Sequence, residues 1–243
     1  MENKYIKLSH GSGKGQDELL REIIIPILLN NTNSLMEDSA ILKNKNKKLA
    51  FTTDSFVVTP LEFPGADIGK LAACGTINDL SMMGAIPEYI SVALILEEGL
   101  EVELLKRVLK SLKKITDECS VQIVCGDTKV VSKGSADGIF ITTAGIGYIP
   151  DKYSVSIKKI RKNDAIIVSG TIGLHGVTVL SKRKNLDFVT DIESDCAPLD
   201  DISQRLLTAV PETHALRDAT RGGVSAVLNE IASSIDLTFE IDE

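Results

Sequence analysis

Four aspartates are the first residues whose types suggest chemistry. They are Asp38 in Met36-Glu37-Asp38-Ser39-Ala40, Asp54 in Thr52-Thr53-Asp54-Ser55, Asp79 in Thr76-Ile77-Asn78-Asp79-Leu80 and Asp127 in Gly126-Asp127-Thr128-Lys129. Oxygen ligands of this kind suit Mg²⁺, which takes one or two carboxylates together with substrate phosphates. Asp79 is the most informative, because Ala73, Cys74, Ile77, Leu80, Met82 and Met83 around it are apolar. Burying a carboxylate costs several kcal/mol unless it is paired or metal-bound, so Asp79 is expected to hold a cation or hydrogen-bond donors. Asp54 and Asp127 each follow a strand-like run, where a chain leaves its sheet at a position suited to binding groups. Taken alone, any one of the four is more simply a helix cap or turn residue.

Basic and glycine-rich segments supply the complementary partners. His10 is followed by Gly11-Ser12-Gly13-Lys14-Gly15, whose backbone N–H groups could approach phosphate oxygens. This is not a Walker A loop, since Leu8 stands where its first glycine belongs and Gly15 follows the lysine; a flexible arm is the alternative. Lys129, two residues past Asp127, could set an ammonium near the same metal-held phosphates; a solvated lysine is the alternative. Asp218-Ala219-Thr220-Arg221-Gly222-Gly223 precedes a helix-like run, and such a turn is a natural anion site. An ordinary capped helix start explains its aspartate and glycines but not its arginine.

Other chemistries find less support. His10, His175 and His214 have no metal-ligand spacing, and Cys74, Cys119, Cys125 and Cys196 form no CxxC pair. Reduced thiols of a cytoplasmic protein are expected rather than zinc or disulfides. A net charge of −7 argues against binding nucleic acid through basic side chains, although divalent ions let an acidic chain hold a polyanion. No apolar run approaches the ~20 residues of a membrane span, and the N-terminus lacks a signal-peptide pattern.

The elements that must position these residues follow from periodicity. Leu49–Val58, Tyr89–Leu96, Val121–Cys125 and Gly138–Ile149 read as strands, and Ala66–Met83 and Glu103–Cys119 as helices. The order β-α-β-α-β-β indicates an α+β domain with helices on one face. A polar linker, 151–163, leads to a second, α/β unit. There Ala165–Val168 reads as a strand before the turn Ser169–Gly173, Asp201–Ala209 and Gly222–Ser234 as helices, and Leu237–Ile241 as a strand lacking an evident partner. A chain of 243 residues, 43% hydrophobic and 25% charged, accommodates two such domains.

The run FTTDSFVVTPLEFPGADIGKLAACGTINDLSMMGA, from Phe51 to Ala85, closely resembles the hydrogenase expression/formation protein HypE family. So do His10–Gly13, Gly126–Val131, Thr143–Gly147, Ser169–Gly176 and Arg217–Gly223, in order along the chain. That family belongs to the aminoimidazole-ribonucleotide-synthetase-like superfamily, so the resemblance implies a PurM-like two-domain architecture. The expected divisions are an arm over 1–36, an ATP- and Mg²⁺-binding α+β domain over 37–150 forming a homodimeric barrel-like core, and an α/β domain over 160–243.

By the same resemblance Asp38, Asp54, Asp79 and Asp127 become metal residues. Asp79 and Lys129 become catalytic. His10, Gly11, Ser12, Gly13, Asn78, Lys129, Asp218, Thr220, Arg221, Gly222 and Gly223 become nucleotide contacts. The implied reaction is ATP-dependent dehydration of an S-carbamoyl cysteine to a thiocyanate, with a carbamoyltransferase, HypF, and a HypC–HypD iron scaffold as partners. Two departures stand out: Lys14 where the family commonly has glycine, and an ending at Glu243 without the family's terminal cysteine, which reads as a truncated second domain. The alternatives are another superfamily member, such as a selenophosphate synthetase or small-molecule kinase, or an ATP-binding dimeric module without catalysis.

Overall fold

Alternation sets the frame of the fold. In β2 (Lys47–Phe56), Ala50, Thr52 and Phe56 turn inward, while Phe51, Thr53 and Ser55 are exposed. In β7 (Ile139–Ile149), Ile139, Ile141, Thr143, Gly145, Gly147 and Ile149 are all buried, the period of two expected of a half-covered strand. The computed structural model describes residues 40–44, 47–184 and 192–241. These fall into two compact units, one within Asp38–Leu216 and one containing Arg217–Glu243.

In the first unit, β1 (Ala40–Asn44), β2, β5 (Ile86–Glu97), β6 (Gln122–Val131) and β7 form a sheet in the order β1-β2-β7-β5-β6. Every pairing is antiparallel except β5 with β6. A parallel pair needs a crossover, and α2 (Val102–Glu118) supplies it. A short hairpin of β3 (Glu62–Phe63) and β4 (Ala66–Asp67) leads into α1 (Ile68–Met82), whose first turn is capped by the Asp67 carboxylate accepting the Lys70 N–H at 2.9 Å.

Helix α1 is buried on nearly every side, because it lies on the sheet and is itself covered by α2. Ile68, Ile77, Ile90, Val108, Leu112, Ile139 and Ile141 form the main core. A second cluster joins Ala50, Leu80, Met83 and Ile149 to Tyr153, Val155 and Leu207, the last from α4 (Asp200–Ala209). Gly145 has a packing reason: a Cβ there would stand 2.6 Å from Thr76 Cγ2 and 3.0 Å from Leu80 Cδ1.

The main domain's element order agrees with its sequence pattern, but several expectations are corrected. Val121–Cys125 is the start of a strand that continues to Val131. Ala165–Val168 is not a strand: it is exposed, Ile167 to 86%, and has no ladder partner among the described residues. Leu237–Ile241 is likewise unpaired among the described residues. An apolar run becomes a strand only where a neighbour satisfies its backbone groups. Conversely β1, β3, β4 and α3 (Leu174–Lys184) were not foreseen.

The second unit holds α5 (Gly223–Ile235), which ends at Asp236 with φ +54°. No described helix is long and apolar enough to cross a membrane.

Candidate functional site

Two of the four aspartates share one layer. Inward alternation along β2 presents Thr52 and Asp54 to α1. The Thr52 hydroxyl, 7% exposed, donates to Asp79 Oδ2 at 2.7 Å. Asp54 Oδ2 lies 3.6 Å from the point where a side chain on Gly75 would begin. Gly75 precedes Asp79 by four residues, so both carboxylates meet the same stripe of α1, one turn apart. Phe56 closes that end: its ring would stand 2.7 Å from a Gly75 Cβ. Asp79 is half-buried and hydroxyl-bonded, in line with the donor its apolar surroundings require.

Asp127 is elsewhere. It sits inside β6 rather than at a strand end, opposite Ala93, which pairs with Thr142, which pairs with Ser55. Ser55 Oγ and Thr142 Oγ1 hydrogen-bond at 2.9 Å, so that row faces away from α1. Asp54 belongs to the adjacent, inward row, with Thr143, Val92 and Gly126. Asp127 therefore lies on the opposite face from Asp54 and three strands away, about 14 Å at the usual strand spacing.

On that face Lys129 Nζ donates to Asp127 at 2.9 Å and the Thr128 N–H at 2.8 Å. The Lys129 ammonium, then the Thr128 N–H, holds the Asp127 carboxyl below its usual range. A cation arriving at Asp127 has to compete with Lys129.

A single four-aspartate metal site is thus not assembled by the described residues, and no three His, Cys, Asp or Glu among them cluster to hold an ion. Asp54 and Asp79 are the described carboxylates that could serve Mg²⁺, which takes one or two carboxylates and completes its shell with phosphates and water. Asp38, His10, Gly11, Ser12, Gly13 and Lys14 lie outside the described residues.

Asn78, expected to contact nucleotide, has its amide committed to the backbone. Its Nδ2 donates to the Ala197 carbonyl at 3.0 Å, and its Oδ1 accepts the Leu199 N–H at 2.8 Å. In the second unit, Asp218 is buried, and Thr220 and Arg221 lie in the turn that enters α5. Gly222 and Gly223 have φ of +78° and +65°, and the Gly223 N–H donates to the Thr220 carbonyl at 3.1 Å. Positive φ explains both glycines without a ligand.

Sequence reasoning missed a strap over residues 192–199. His175 Nδ1 hydrogen-bonds Ser194 Oγ at 3.0 Å, and its ring meets Phe63 edge-on at 5.3 Å. Burial pushes the His175 pKa down. Asp195 accepts the backbone N–H of His175 rather than a ring N–H, so this is not a Ser/His/Asp triad. Only the fold brings these residues together, and local spacing carries no signal of it.

Comparison with known proteins identifies the family and the fold. The AIR synthase related protein N-terminal domain matches residues 36–149, and the corresponding C-terminal domain matches residues 161–243. Carbamoyl dehydratase HypE of Rhodobacter capsulatus is 43% identical over 249 aligned positions, covering 100% of this chain and 72% of that protein. The Escherichia coli K12 protein of the same name is 43% identical, over 98% of this chain and 72% of its own length.

Among solved structures, a HypE–HypF complex gives a TM-score of 0.84 at 48% identity, covering 90% of this chain and 70% of that one. HypE in complex with ATP gives 0.76 at 44% identity, covering 95% and 69%. A ThiL bound to AMPPCP and TMP, 19% identical with a TM-score of 0.66, shares the fold. The chain belongs to the carbamoyl dehydratase HypE family of hydrogenase maturation proteins and has the PurM-like mixed α/β fold of the AIR synthase related proteins.

Proposed function

We propose that this chain binds magnesium–ATP and uses it to dehydrate an S-carbamoyl cysteine to a thiocyanate, the source of cyanide ligands for [NiFe]-hydrogenase iron. The observation that carries the metal end of this reading is the placement of Asp54 and Asp79 in one β2–α1 layer, with the Thr52 hydroxyl fixing Asp79. Magnesium, when bound there, supplies positive charge that neutralises the triphosphate. Asp79 takes the firmer role, because its rotamer is locked by Thr52. Lys129 is the candidate ammonium for phosphate charge. It lies on the other face of the sheet, so within one chain it does not meet the Asp54–Asp79 pair on the same phosphate.

The reaction balances as follows. The carboxamide oxygen attacks the γ-phosphorus and ADP leaves. The nitrogen then loses two protons as the C–O bond breaks, giving R–S–C≡N and inorganic phosphate. Positioning and charge neutralisation are what phosphoryl transfer mainly asks of the protein.

The proposed unit is a homodimer joined through the 37–150 domain, with 160–243 as a second domain. An exposed, helix-free sheet face bearing Phe51 and Ile95 supports this reading. HypF is a proposed partner, as the likeness to a HypE–HypF complex suggests; a HypC–HypD scaffold is proposed from the family resemblance alone, and the cytoplasm is the proposed compartment.

Titration calorimetry with magnesium–ATP tests the site. Asp79→Asn and Asp54→Asn should each weaken binding tenfold or more, about 1.4 kcal/mol, and EDTA should weaken the wild type similarly. Unchanged affinity in Asp79→Asn sinks the assignment.

A further inference from the structure

Two side chains sealed between α1 and the sheet are polar where apolar ones would fit. Thr76, on α1, and Thr143, on β7, are both 0% exposed, and their hydroxyls hydrogen-bond to each other. Replacing both members of such a pair by apolar groups of the same shape is nearly neutral for stability. Packing alone therefore does not ask for hydroxyls here.

The pair closes a ring of polar bonds through three elements. Thr52, on β2, donates to Asp79 Oδ2, on α1, at 2.7 Å. Three residues before Asp79, Thr76 meets Thr143. The Thr143 carbonyl then accepts the hydroxyl of Thr53, back on β2, at 2.9 Å. Asp54 belongs to the same group: it pairs with Thr143 in the β2–β7 register, and its Oδ2 approaches Gly75, the neighbour of Thr76. Thr76 is also fixed in rotamer. Its methyl carbon would stand 2.6 Å from a Cβ on Gly145, which leaves the hydroxyl for Thr143.

We propose that the Thr76–Thr143 hydroxyl pair is a positioning device that sets the distance between Asp54 and Asp79, and so makes the site prefer Mg²⁺ to the larger Ca²⁺. This rests on the magnesium–ATP reading and deepens it.

The division of labour follows from the bonds. Thr52 orients the Asp79 side chain, whereas the Thr76–Thr143 bond sets where α1 stands above β7. Hydrogen-bonded hydroxyl oxygens sit about 2.7–2.8 Å apart, while two carbons reach their optimum at about 3.5–4.0 Å. A methyl group in place of one hydroxyl thus lifts α1 by about 1 Å. Oxygen ligands lie about 2.0–2.1 Å from Mg²⁺ and about 2.3–2.6 Å from Ca²⁺, and Mg²⁺ tolerates distortion far less. Over two ligands the ions differ by about 0.4–1.2 Å, the size of the displacement.

The experiment is calorimetry of ATP binding to the full chain in Mg²⁺ and, separately, in Ca²⁺, with urea unfolding of each variant to read its folding. Thr143→Val should weaken magnesium–ATP binding and leave calcium–ATP within about twofold, so that the preference for magnesium falls about tenfold. Thr76→Val should do the same, and Thr143→Ala, which removes the hydroxyl without crowding, serves where valine does not fold. Thr143→Ser keeps the hydroxyl and should retain most of the preference. A merely structural role would change both affinities alike or neither, and either result overturns the proposal. So would a wild type without preference for magnesium, or a serine variant that loses it as fully as valine. Asp79→Asn separates the two claims. If it binds magnesium–ATP like the wild type, the underlying reading fails and takes this one with it. If it binds weakly while the valine variants keep the wild-type preference, this proposal alone is overturned.

Discussion

Asn78→Ala offers the sharpest test of how the strap is held. The wild-type side chain is 8% exposed and makes two neutral hydrogen bonds, at 3.0 Å to the Ala197 carbonyl and 2.8 Å from the Leu199 N–H. Each such bond contributes about 0.5–1.5 kcal/mol net, and stranding a buried partner costs about 1–3 kcal/mol. Ala197 is exposed, so water replaces the lost donor there; Leu199 is half-buried and recovers less. The expected loss is therefore about 1–3 kcal/mol rather than the sum of two full desolvation penalties. Urea unfolding followed by circular dichroism reads it as a lower midpoint with the slope unchanged. Asn78→Asp is the companion. It keeps an acceptor for Leu199 but sets a carboxylate against the Ala197 carbonyl, so its loss at neutral pH should match or exceed that of alanine. The reasoning is refuted if Asn78→Ala stays within about 0.5 kcal/mol of wild type, the range of inconsequential surface changes, while magnesium–ATP affinity falls. That result would mean that the amide serves the nucleotide.

Gly145→Ala puts a methyl group 2.6 Å from Thr76 Cγ2 and 3.0 Å from Leu80 Cδ1. Overpacking should cost about 1–3 kcal/mol, read in the same urea experiment. Leu112→Ala, at a side chain 2% exposed, should cost about 2–5 kcal/mol, again as a lower urea midpoint. Asp164 accepts from His214 Nδ1 at 2.6 Å, and this bond, then the Arg161 N–H, holds its carboxyl below its ordinary value of 3.8. A depressed carboxyl contributes stability that is present above its unfolded pKa and lost as pH falls through its folded pKa. A carbon-13 titration should accordingly find the Asp164 midpoint below 3.8, and His214→Ala should move it upward.

The main domain was legible because its strands and helices carry strong periods. The stripe Val108, Leu112 and Ile115 on α2 and the alternation in β7 each allow one buried face. Where the pattern failed, the missing information was a partner. Ala165–Val168 is as apolar as β5 but has no described neighbour for its backbone, so it forms no strand. β1 failed in the other direction. Ala40–Asn44 is short and ends in polar residues, yet antiparallel pairing with β2 makes it a strand. Tertiary pairing overrides local preference in both cases.

The site divides along the same line. Asp54 and Asp79 were visible one by one, Asp79 as a carboxylate among apolar neighbours and Asp54 at the end of a strand-like run. That they form a pair depends on β2 packing against α1, which no local spacing encodes. Asp127 looked equivalent to them because it also follows a run of apolar residues. Strand order makes it different: β7 and β5 lie between β2 and β6, and one step of register turns Asp127 to the other face. A motif can treat four aspartates as equals, but a sheet cannot, because its alternation and strand order assign each to a face and a distance. Asp54 and Asp79 meet the same stripe of α1, whereas Asp127, on the other face, is paired with Lys129.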